Sequence, residues 1–430
     1  MNRHLLLAGV LSLSASSLSA QTFQVIAPSG HTYSVTVTAK TNSGRSAASG
    51  STTSRYFYTP AAILPSTQTG NNYYVLFVGN NSSSGATPTN ESIFLTQSAD
   101  GYDGFTDPVA ILGQSGTNIC DMTAPRAIYD DNLGEWHVFV QAVIGTASSC
   151  PYPTGPAYIF EATGPSLSPG SLQWVMSSPG VAKPIIQSAC VANAEQQGEN
   201  PASQCNGVND ADGIGQEFQA FNIGKYTGTA GLSTSYPFML NYYDYSYTGP
   251  GGGGELFGYL SPWSDGVNNW YFWYNTPSAS LDKACGGYEV LWPDVILAHS
   301  LEESSNGDPS IAIGSDESCS ASPTGRGLAF WSTLVPYYGS GYLSNIGIGP
   351  TNALYFNNTN SNIVDGTFPS AGTGIDDPKF ARNVYGYLEP TSYSPTTWTS
   401  YIYYGVTDFG TWNGSTPGGF RVSQVTITEQ

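Results

Sequence analysis

The sequence predicts an all-β protein in which one antiparallel unit recurs along the chain, and three observations support this fold class. A strand–turn–strand phrase is repeated, the chain contains 50 Gly and 28 Pro, and almost no helical periodicity follows Tyr56. Frequent Gly and Pro interrupt a chain before it reaches helical length, whereas short strands tolerate them at their turns. The pattern therefore favours many short strands joined by turns.

The clearest copy of the repeated phrase is a hairpin. It runs from Ala124 to Tyr129, turns at 130–134, and continues from Trp136 to Gln141. Three further copies share its short first strand and its aromatic-aliphatic second strand. They are 60–64 with 73–78, 217–221 with 236–240, and 377–380 with 401–404. Recurrence of one supersecondary unit predicts a repeat architecture.

A second phrase follows the hairpin and adds a third strand that ends in a polar turn. It occurs at 92–101, at 256–266 and, more loosely, at 157–163. Three or four antiparallel strands make one propeller blade, and second strands that begin near 73, 136, 236, 328 and 398 predict five such units. We therefore predict a five-bladed β-propeller over 56–430, with a closing strand at 420–427 beside an N-terminal strand. A pair of β-sandwiches is the alternative.

The N-terminus predicts export. Residues 1–20 combine a charged start, a short apolar run and small residues before Gln21, which is the pattern of a secretory signal peptide. The apolar run is too short to span a bilayer. Residues 21–55 follow as two short strands and a flexible Ser/Thr/Gly-rich loop. We expect a secreted protein, extracellular or periplasmic, with no membrane contact after cleavage.

Six cysteines in an exported chain favour disulfides. The sequence alone allows fifteen pairings, and pairing of nearest neighbours is the simplest of them. It gives Cys120–Cys150, Cys190–Cys205 and Cys285–Cys319, each of which would close a loop within one repeat. A zinc site is not expected, because the sequence has no Cys-x-x-Cys motif and no histidine at ligand spacing.

The charge balance excludes one class of partner. The chain carries 12 Lys plus Arg against 31 Asp plus Glu, a formal charge of -19. Such a surface repels phosphate backbones and anionic membranes, so nucleic acid is not an expected partner. The aromatic share of 13% suits packing within β-sheets as well as stacking on sugar rings.

Together these phrases resemble the five-bladed β-propeller glycoside hydrolases of the arabinofuranosidase and xylosidase type, family 43-like. The resemblance rests on Ala124-Pro125, on Asp377-Pro378, and on the Ser-x-Asp-Gly and Ser-Asp-Gly turns at 98–101 and 264–266. It covers most of the chain from Tyr56 onward. It implies three carboxylates that face a central channel from the starts of the innermost strands, and a polysaccharide or oligosaccharide partner.

The chain departs from this family in its first blade. Where the family opens with Asp-Pro and carries its general base, this sequence reads Thr59-Pro60, and Asp377-Pro378 stands near the end instead. Either the blades are counted from a different start, or the family's catalytic set has been lost. The first alternative predicts a glycoside hydrolase that acts on a polysaccharide or its side chains. The second predicts a non-catalytic propeller that binds glycans or a surface protein.

Acids at predicted strand starts are the candidates for hydrolytic chemistry. A glycosidic bond is hydrolysed between two carboxyl groups, one protonated and one ionised. Glu217 and Asp377 are the preferred pair, and Asp121 and Asp294 are further candidates. A Glu buried between aromatic residues has a raised pKa, which suits the role of acid. The alternative for each position is an acid that caps a turn or faces solvent.

Five other residues are candidates for binding substrate. Arg126 and Arg382 follow two of the strand starts, where each is suited to a substrate hydroxyl or carboxylate or to a structural ion pair. Tyr243 and Tyr245 belong to a tyrosine-rich run that suits sugar stacking or burial at a blade edge, and His299 suits a channel ligand or core packing.

No cofactor is expected, with calcium as the open alternative. The run 209–213 alternates oxygen-bearing side chains and ends in Gly, as calcium loops do. The full twelve-residue pattern is missing, because no acid stands at its closing position. The sequence therefore predicts no particular metal ligand.

Overall fold

The structure, a computed structural model, consists mostly of β-strands. It describes residues 20–26, 32–40, 56–80, 91–146, 149–151, 155–205, 218–222, 238–244, 255–261, 271–277, 289–295, 328–337, 341–350, 373–386, 391–394, 397–408 and 419–430. The prediction of an all-β class is therefore confirmed for the part of the chain that is described.

Within the described ranges, two short helices interrupt the strands, and the sequence prediction contains neither of them. They are α1 (Ala189–Gln197) and α2 (Pro201–Gln204). The signals for α1 are its caps: the Ser188 hydroxyl accepts the Val191 N–H, and Gly198 ends the helix with a φ of 71°. A weakly amphipathic helix of nine residues is too short to show a clear helical periodicity in the sequence.

Among the described residues, five antiparallel sheets have three or more strands, and we name them sheets I to V. The first described strands form a hairpin of β1 (Ala20–Ile26) and β2 (Thr32–Ala39). Sheet I follows, and its four strands are adjacent in chain order. They are β3 (Tyr56–Ile63), β4 (Tyr73–Asn80), β5 (Glu91–Ser98) and β6 (Val109–Gly113).

Sheet II repeats this succession and gains a fifth strand. Its first four strands are β7 (Ile119–Asp130), β8 (Glu135–Ile144), β9 (Ala157–Gly164) and β10 (Gln173–Trp174). A separate ribbon pairs β11 (Met176–Ser178) with β12 (Val181–Ala182), and β13 (Pro184–Ile186) returns to pair with β9.

Sheets III and IV contain four and three strands, again in chain order. Sheet III consists of β14 (Gln219–Asn222), β15 (Phe238–Asp244), β16 (Glu255–Ser261) and β17 (Tyr271–Pro277). Sheet IV consists of β18 (Glu289–Val295), β19 (Leu328–Tyr337) and β20 (Gly341–Pro350).

Sheet V joins strands from the two terminal parts of the chain. Its C-terminal strands are β21 (Thr373–Phe380), β22 (Ser392–Ser394), β23 (Thr397–Asp408) and β24 (Gly419–Glu429). β24 covers the predicted closing strand, and it pairs with β2. The order across the sheet is therefore β21, β23, β24, β2 and β1, with β22 also on β23.

Sheets I and II each pack a different neighbour on each of their two faces. One face of sheet I packs on sheet V, and its other face packs on sheet II. The second face of sheet II packs on sheet III, where Phe139 and Ile159 meet Phe218 and Phe238. Strands that are buried on both faces are apolar throughout rather than alternating, which is why Val75 to Val78 form one continuous buried run.

Two of the three predicted disulfides are confirmed. Cys120–Cys150 and Cys190–Cys205 have Cα–Cα distances of 6.0 and 5.8 Å. The first ties the start of β7 to the loop before β9, and the second ties α1 to the residue after α2. Cys285 and Cys319 lie outside the described residues. None of the helices within the described ranges has the length and apolar character that crossing a membrane requires.

Candidate functional site

A one-residue bulge interrupts the first strand of four sheets. On β3, Tyr58 pairs with Val78 and Ala61 pairs with Leu76, so three steps on β3 oppose two steps on β4. The same pairing of three steps against two occurs at 123–126 of β7, at 291–294 of β18 and at 376–379 of β21. A bulge bends its strand and re-aims the side chains, and bulges are frequent beside active sites.

Each of these bulges contains a residue followed by proline. The four pairs are Thr59-Pro60, Ala124-Pro125, Trp292-Pro293 and Asp377-Pro378. Proline has no N–H to give to the ladder, so within a sheet it is confined to edges, strand starts and bulges. The residue before each proline therefore occupies one equivalent position in four sheets, and Asp377 is the carboxylate among the four. Asp294 lies two residues beyond that position, where sheet II has Arg126.

Where sheets I and II meet, buried hydrogen bonds fill the equivalent positions. Thr59 and Ala124 are fully buried, and both have positive φ values, of 52° and 48°. The Ala124 N–H donates to Thr59 Oγ1 over 2.9 Å, and the Thr123 hydroxyl donates to the same oxygen over 3.4 Å. At these two equivalent positions, the site consequently has a hydroxyl and a backbone group in place of a carboxylate.

Glu91 is a buried carboxylate at this end of the sheets that sequence reasoning missed. Glu91 begins β5 and is 5% exposed. Its Oε2 accepts a hydrogen bond from the Met122 N–H over 2.6 Å. Met122 lies in an earlier bulge of β7, between the pairs of Cys120 and Thr123. Glu91 therefore fixes that bulge. Its signal in the sequence is an acid before an apolar strand, which is also the pattern of an ordinary turn residue.

Asp121, one of the predicted site acids, lies in the bulge that Glu91 fixes. It is partly buried, and its φ of 53° is unfavourable for a residue other than Gly. The disulfide of the preceding Cys120 and the hydrogen bond of the following Met122 hold the backbone on both sides of Asp121. The carboxylate therefore stands on a constrained segment of the chain.

Arg126 is buried and binds protein groups. It is 4% exposed, its Nε donates to the Phe218 carbonyl at 3.1 Å, and its Nη1 donates to the Pro125 carbonyl at 2.8 Å. The guanidinium carbon also lies 5.5 Å from the centroid of the Phe218 ring. Arg126 thus connects the bulge of sheet II to the start of sheet III, one residue after Glu217.

Residues 381–386, which we name the strap, cross the opposite ends of the first strands. The backbone hydrogen bonds of the strap reach sheets I, II and III in turn. They are Arg382 N–H to the Ala62 carbonyl (3.0 Å), Leu64 N–H to the Arg382 carbonyl (2.7 Å), Tyr129 N–H to the Val384 carbonyl (2.7 Å) and Asn222 N–H to the Tyr385 carbonyl (2.9 Å). Because the strap occupies this end, the candidate site lies at the bulge end.

Arg382 belongs to the strap and not to the bulge end. Its buried guanidinium donates from Nη1 to the Gly386 carbonyl at 3.0 Å. Gly386 has a φ of 87°, and a Cβ at this position would lie 2.0 Å from the Ala220 carbonyl oxygen. Arg382 and Gly386 therefore shape the turn with which the strap reaches sheet III.

The other predicted site residues are described by their backbone or lie outside the described residues. Tyr243, Asp294 and Asp377 lie on β15, β18 and β21, where the pairing of the strands defines their positions. Glu217, Tyr245, His299 and the run 209–213 lie outside the described residues. Within the described ranges, no group of three or more His, Cys, Asp or Glu side chains is placed to hold a metal ion.

A buried histidine–glutamate pair lies at the interface of sheets II and III. His137 Nδ1 and Glu161 Oε1 are 2.7 Å apart, and the His137 ring packs on Phe238 with 4.8 Å between the centroids. Burial raises the pKa of the Glu161 carboxyl, and the hydrogen bond and charge of His137 offset part of this rise. The pair is buried inside the interface, where its hydrogen bond contributes to the structure.

The Ser-x-Asp-Gly turn at 98–101 is held by hydrogen bonds within the turn. Asp100 Oδ1 accepts two backbone N–H groups and the Ser98 hydroxyl over 2.8–3.0 Å. Partial burial raises the pKa of Asp100, but these hydrogen bonds together outweigh it and leave the pKa below its ordinary value. The Tyr403 hydroxyl donates to the Gly101 carbonyl at 2.5 Å and so joins the turn to sheet V.

No protein-family model and no curated protein matches the chain. Similar solved structures include an α-L-arabinofuranosidase from Podospora anserina in complex with cellotriose, with a TM-score of 0.45 and 11% identity over 95% of this chain and 96% of that chain. A GH62 hydrolase in complex with xylotriose has a TM-score of 0.45 and 10% identity over 86% and 91%. An α-L-arabinofuranosidase from Lactobacillus brevis has a TM-score of 0.42 and 9% identity over 86% and 92%. A likeness of this size is no basis for assigning an activity.

Proposed function

We propose that the protein is a secreted five-bladed β-propeller that hydrolyses glycosidic bonds in a polysaccharide or its side chains. The proposed acids are Glu217, which precedes β14 in the sequence, and Asp377, in the bulge of β21. Export is consistent with the two disulfides, which persist in oxidising compartments. A propeller that binds glycans without hydrolysing them is the second candidate, because Thr59 and Ala124 provide no carboxylate.

The packing of the sheets supports the proposed number of blades. Sheets V, I, II and III are stacked face on face in that order, and the strands of sheet IV contact β21 of sheet V. Among the first strands, β3 contacts both β7 and β21, and β7 contacts β14. Radial stacking of small antiparallel sheets around a common axis is the architecture of a propeller. In that architecture the starts of the five first strands meet at one end of the axis.

The strap provides a common reference point on the first strands. Counting residues back from the N–H that the strap binds supports the assignment of Glu217. On sheet I, the strap binds the N–H of Leu64, the fifth residue after Thr59. On sheet II, it binds the N–H of Tyr129, the fifth residue after Ala124. Thr59 and Ala124 occupy equivalent positions in their bulges. On both strands, the residue at this position lies five residues before the N–H that the strap binds.

The same count leads to the proposed acid on sheet III. The strap binds the N–H of Asn222, and the residue that precedes Asn222 by five is Glu217. On sheet V, the bulge of β21 gives the equivalent position, and the residue before its proline is Asp377. We therefore assign Glu217 to the position that Asp377 occupies at the bulge of β21.

Two carboxyl groups on these strands suit glycoside hydrolysis. Sheet IV separates sheets III and V in the chain, so the two first strands would face each other across the axis rather than side by side. Hydrolysis requires two carboxyls about 5–10 Å apart, one giving a proton to the leaving oxygen and one acting as base or nucleophile. We assign the acid role to Glu217, which precedes the fully buried Phe218, and the ionised role to Asp377.

The remaining candidates would surround this pair. Asp121, on its constrained bulge, is a third carboxylate that would orient the sugar, and Asp294 lies two residues beyond the equivalent position on β18. Tyr243, Tyr245 and His299 are proposed to contact the sugar. No cofactor is part of the proposal.

Hydrolysis is tested by the release of reducing sugar or aryl chromophore from arabinosides, xylosides and galactosides. We expect Glu217→Gln and Asp377→Asn each to lower kcat by about 10²–10⁴-fold with an unchanged Tm, since each removes one proton-transfer or nucleophilic group. Glu199→Gln, at an exposed acid, is the matched control and should leave kcat unchanged.

The result also decides between the two candidate functions. Retained turnover in both variants would remove the assignment of the acids. No turnover by the wild type across the panel, together with retention on an insoluble polysaccharide, would support the non-catalytic glycan-binding protein instead.

A further inference from the structure

We propose that a neutral polysaccharide chain binds to an uncharged surface at the bulge end of sheets I and II, which we name the rim. The rim consists of 114–118, 144–145 and 175–182, and these three segments meet at Asn118. The rim would hold the part of the polysaccharide that extends beyond the bond to be cleaved. The catalytic consequences of this inference rest on the proposed function, whereas the binding itself does not.

Hydrogen bonds of Asn118 join the three segments of the rim. Asn118 lies in the loop between β6 and β7, and its Oδ1 accepts the Ala182 N–H over 2.8 Å. Its carbonyl accepts the Gly145 N–H over 2.7 Å. Since Ala182 stands on β12 and Gly145 directly follows β8, Asn118 connects the ribbon of β11 and β12 to the end of β8.

The rim adjoins the candidate site. Asn118 directly precedes β7 and stands three residues before Asp121. The Trp174 indole Nε1 donates to the Gly113 carbonyl over 2.9 Å, at the end of β6 that pairs with the start of β5. Glu91 begins β5, so this second attachment of the ribbon segment also lies at the bulge end. A polysaccharide that reaches the candidate site would therefore pass the rim.

Exposed apolar side chains are concentrated on the rim. Within the part of the chain that the structure describes, five large apolar side chains are exposed, and three of them are Met176 (40%), Val181 (38%) and Ile144 (38%). The other two stand apart, Val109 at the start of β6 and Leu133 in the turn between β7 and β8. Single exposed apolar residues are ordinary on a protein surface, whereas several on adjoining segments mark an interaction site.

The ribbon of β11 and β12 is a preformed part of this surface. Every residue of 176–181 is exposed. The turn of the ribbon contains Pro179 and then Gly180 with a φ of 79°, a sequence and conformation that suit a tight turn. The Ser177 hydroxyl also donates to the Val181 carbonyl over 3.2 Å. A preformed surface loses less conformational entropy when it binds a ligand.

The charge pattern favours a neutral ligand. No Lys, Arg, Asp or Glu occurs in 108–120, 136–160 or 162–182, although the whole chain has a formal charge of -19. The acidic surface elsewhere would repel a polyanion and would draw a polycation away from the rim. Sugar rings of a neutral polysaccharide combine apolar C–H faces with hydroxyl groups. The exposed Ser177 and Ser178 provide hydroxyl partners beside the apolar side chains.

Self-association through the rim is the competing interpretation, because exposed apolar side chains also bind a second copy of the same chain. A second copy seated on the rim would cover the approach to the bulge end, where Asp121 and Glu91 lie. The position of the rim beside the candidate site therefore favours the polysaccharide.

Binding is tested by affinity electrophoresis of the full-length protein in gels that contain soluble xylan, arabinan or galactan, with polygalacturonate as the anionic comparison. We expect at least one neutral polysaccharide to retard the protein more than polygalacturonate does. Val181→Asp places a charge in the contact surface and should weaken this binding about tenfold or more. Val181→Thr keeps the shape and should weaken it only about two- to threefold.

Leu133→Asp is the matched control, because it adds the same charge at an apolar residue that is 64% exposed in the turn between β7 and β8. We expect its affinity and Tm to equal those of the wild type. Wild-type affinity in Val181→Asp, or equal weakening in Leu133→Asp, would overturn the rim. So would the absence of retardation by every neutral polysaccharide, or stronger retardation by polygalacturonate.

Sedimentation velocity tests the competing interpretation. We expect the wild type to remain monomeric over the concentrations used for electrophoresis. A wild-type dimer that Val181→Asp dissociates and Leu133→Asp does not would assign the rim to a second copy of the chain and overturn the polysaccharide.

Kinetics test the consequence for the proposed hydrolase. Val181→Asp should lower kcat/KM on the retained polysaccharide at least about five times more than on an aryl glycoside, mainly through KM, because the aryl glycoside lacks the extended chain. An equal loss on both substrates would overturn the rim as the site of the extended chain and leave the hydrolase standing. Absence of turnover in the wild type would instead refute the hydrolase, and electrophoresis would still decide whether the rim binds polysaccharide.

Discussion

The two ends of the first strands are held in different ways. At the strap end, backbone groups of 381–386 bind backbone groups of sheets I, II and III. At the bulge end, side chains bind backbone groups instead: Thr59 accepts from Ala124, and Glu91 accepts from Met122. Hydrogen bonds between backbone groups depend little on residue type, whereas hydrogen bonds from a side chain depend on it entirely. The bulge end is therefore where one sheet can differ chemically from the next, as a site with distinct roles requires.

The most damaging change at the strap end should be Gly386→Ala. A Cβ would meet the Ala220 carbonyl oxygen at 2.0 Å, and the φ of 87° is unfavourable for Ala. We expect a loss of about 3 kcal/mol or more in the free energy of unfolding, measured by urea denaturation. Gly170→Ala, with a φ of 76° and open space around the Cβ, should lose only about 1–2 kcal/mol. Equal losses would mean that the strap does not closely approach sheet III.

At the bulge end, Thr59→Val should have the next largest effect. Valine keeps the shape of threonine but removes the oxygen that accepts the Ala124 N–H, which is then buried without its partner. We expect a loss of about 2 kcal/mol. Thr59→Ser, which keeps the hydroxyl, should retain most of the stability. A Thr59→Val protein as stable as Thr59→Ser would contradict the described junction of sheets I and II.

Glu91→Gln should cost less, because the amide oxygen still accepts the Met122 N–H. What is lost is the charge that strengthens the bond of 2.6 Å. We expect a loss of about 1 kcal/mol in the free energy of unfolding, with faster hydrogen exchange of the Met122 amide. Glu199→Gln at an exposed position is the control and should change neither quantity. If the Met122 amide exchanges at the wild-type rate in Glu91→Gln, Glu91 does not fix this bulge.

The smallest effect should be the pH dependence that Asp100 contributes in the turn at 98–101. Its pKa in the folded protein is lowered, so its stabilising contribution is present above the ordinary carboxyl pKa of about 3.9 and is lost as the pH falls through the folded value. The difference in unfolding free energy between wild type and Asp100→Asn should therefore shrink below about pH 4. A difference that grows on acidification would contradict the hydrogen bonding of this turn.

Much of sheets I and II could be predicted from the sequence because their strands are short, adjacent in the chain and joined by local turns. The hairpin 124–141 and the strands 73–78 and 92–98 correspond to β7–β8, β4 and β5. The two disulfides could be predicted for the same reason, since each joins neighbouring cysteines across a loop of 15 or 30 residues.

The contacts that define the candidate site could not be predicted, because they join distant residues through groups that leave no motif. Arg126 and Phe218 are 92 residues apart, and Thr59 and Ala124 are 65 apart. The strap binds backbone groups, which every residue possesses. The equivalence of the Xaa-Pro positions also required the strand register, because a sequence does not show which residues lie in a bulge.

The most direct test of the account is a crystal structure in which the distance between the carboxyl carbons of Glu217 and Asp377 is measured. The proposed assignment of both residues to equivalent positions predicts about 5–10 Å, with room for a glycosidic bond between them. A distance beyond about 15 Å, more than either hydrolytic geometry allows, would contradict the paired acids and with them the proposed hydrolase.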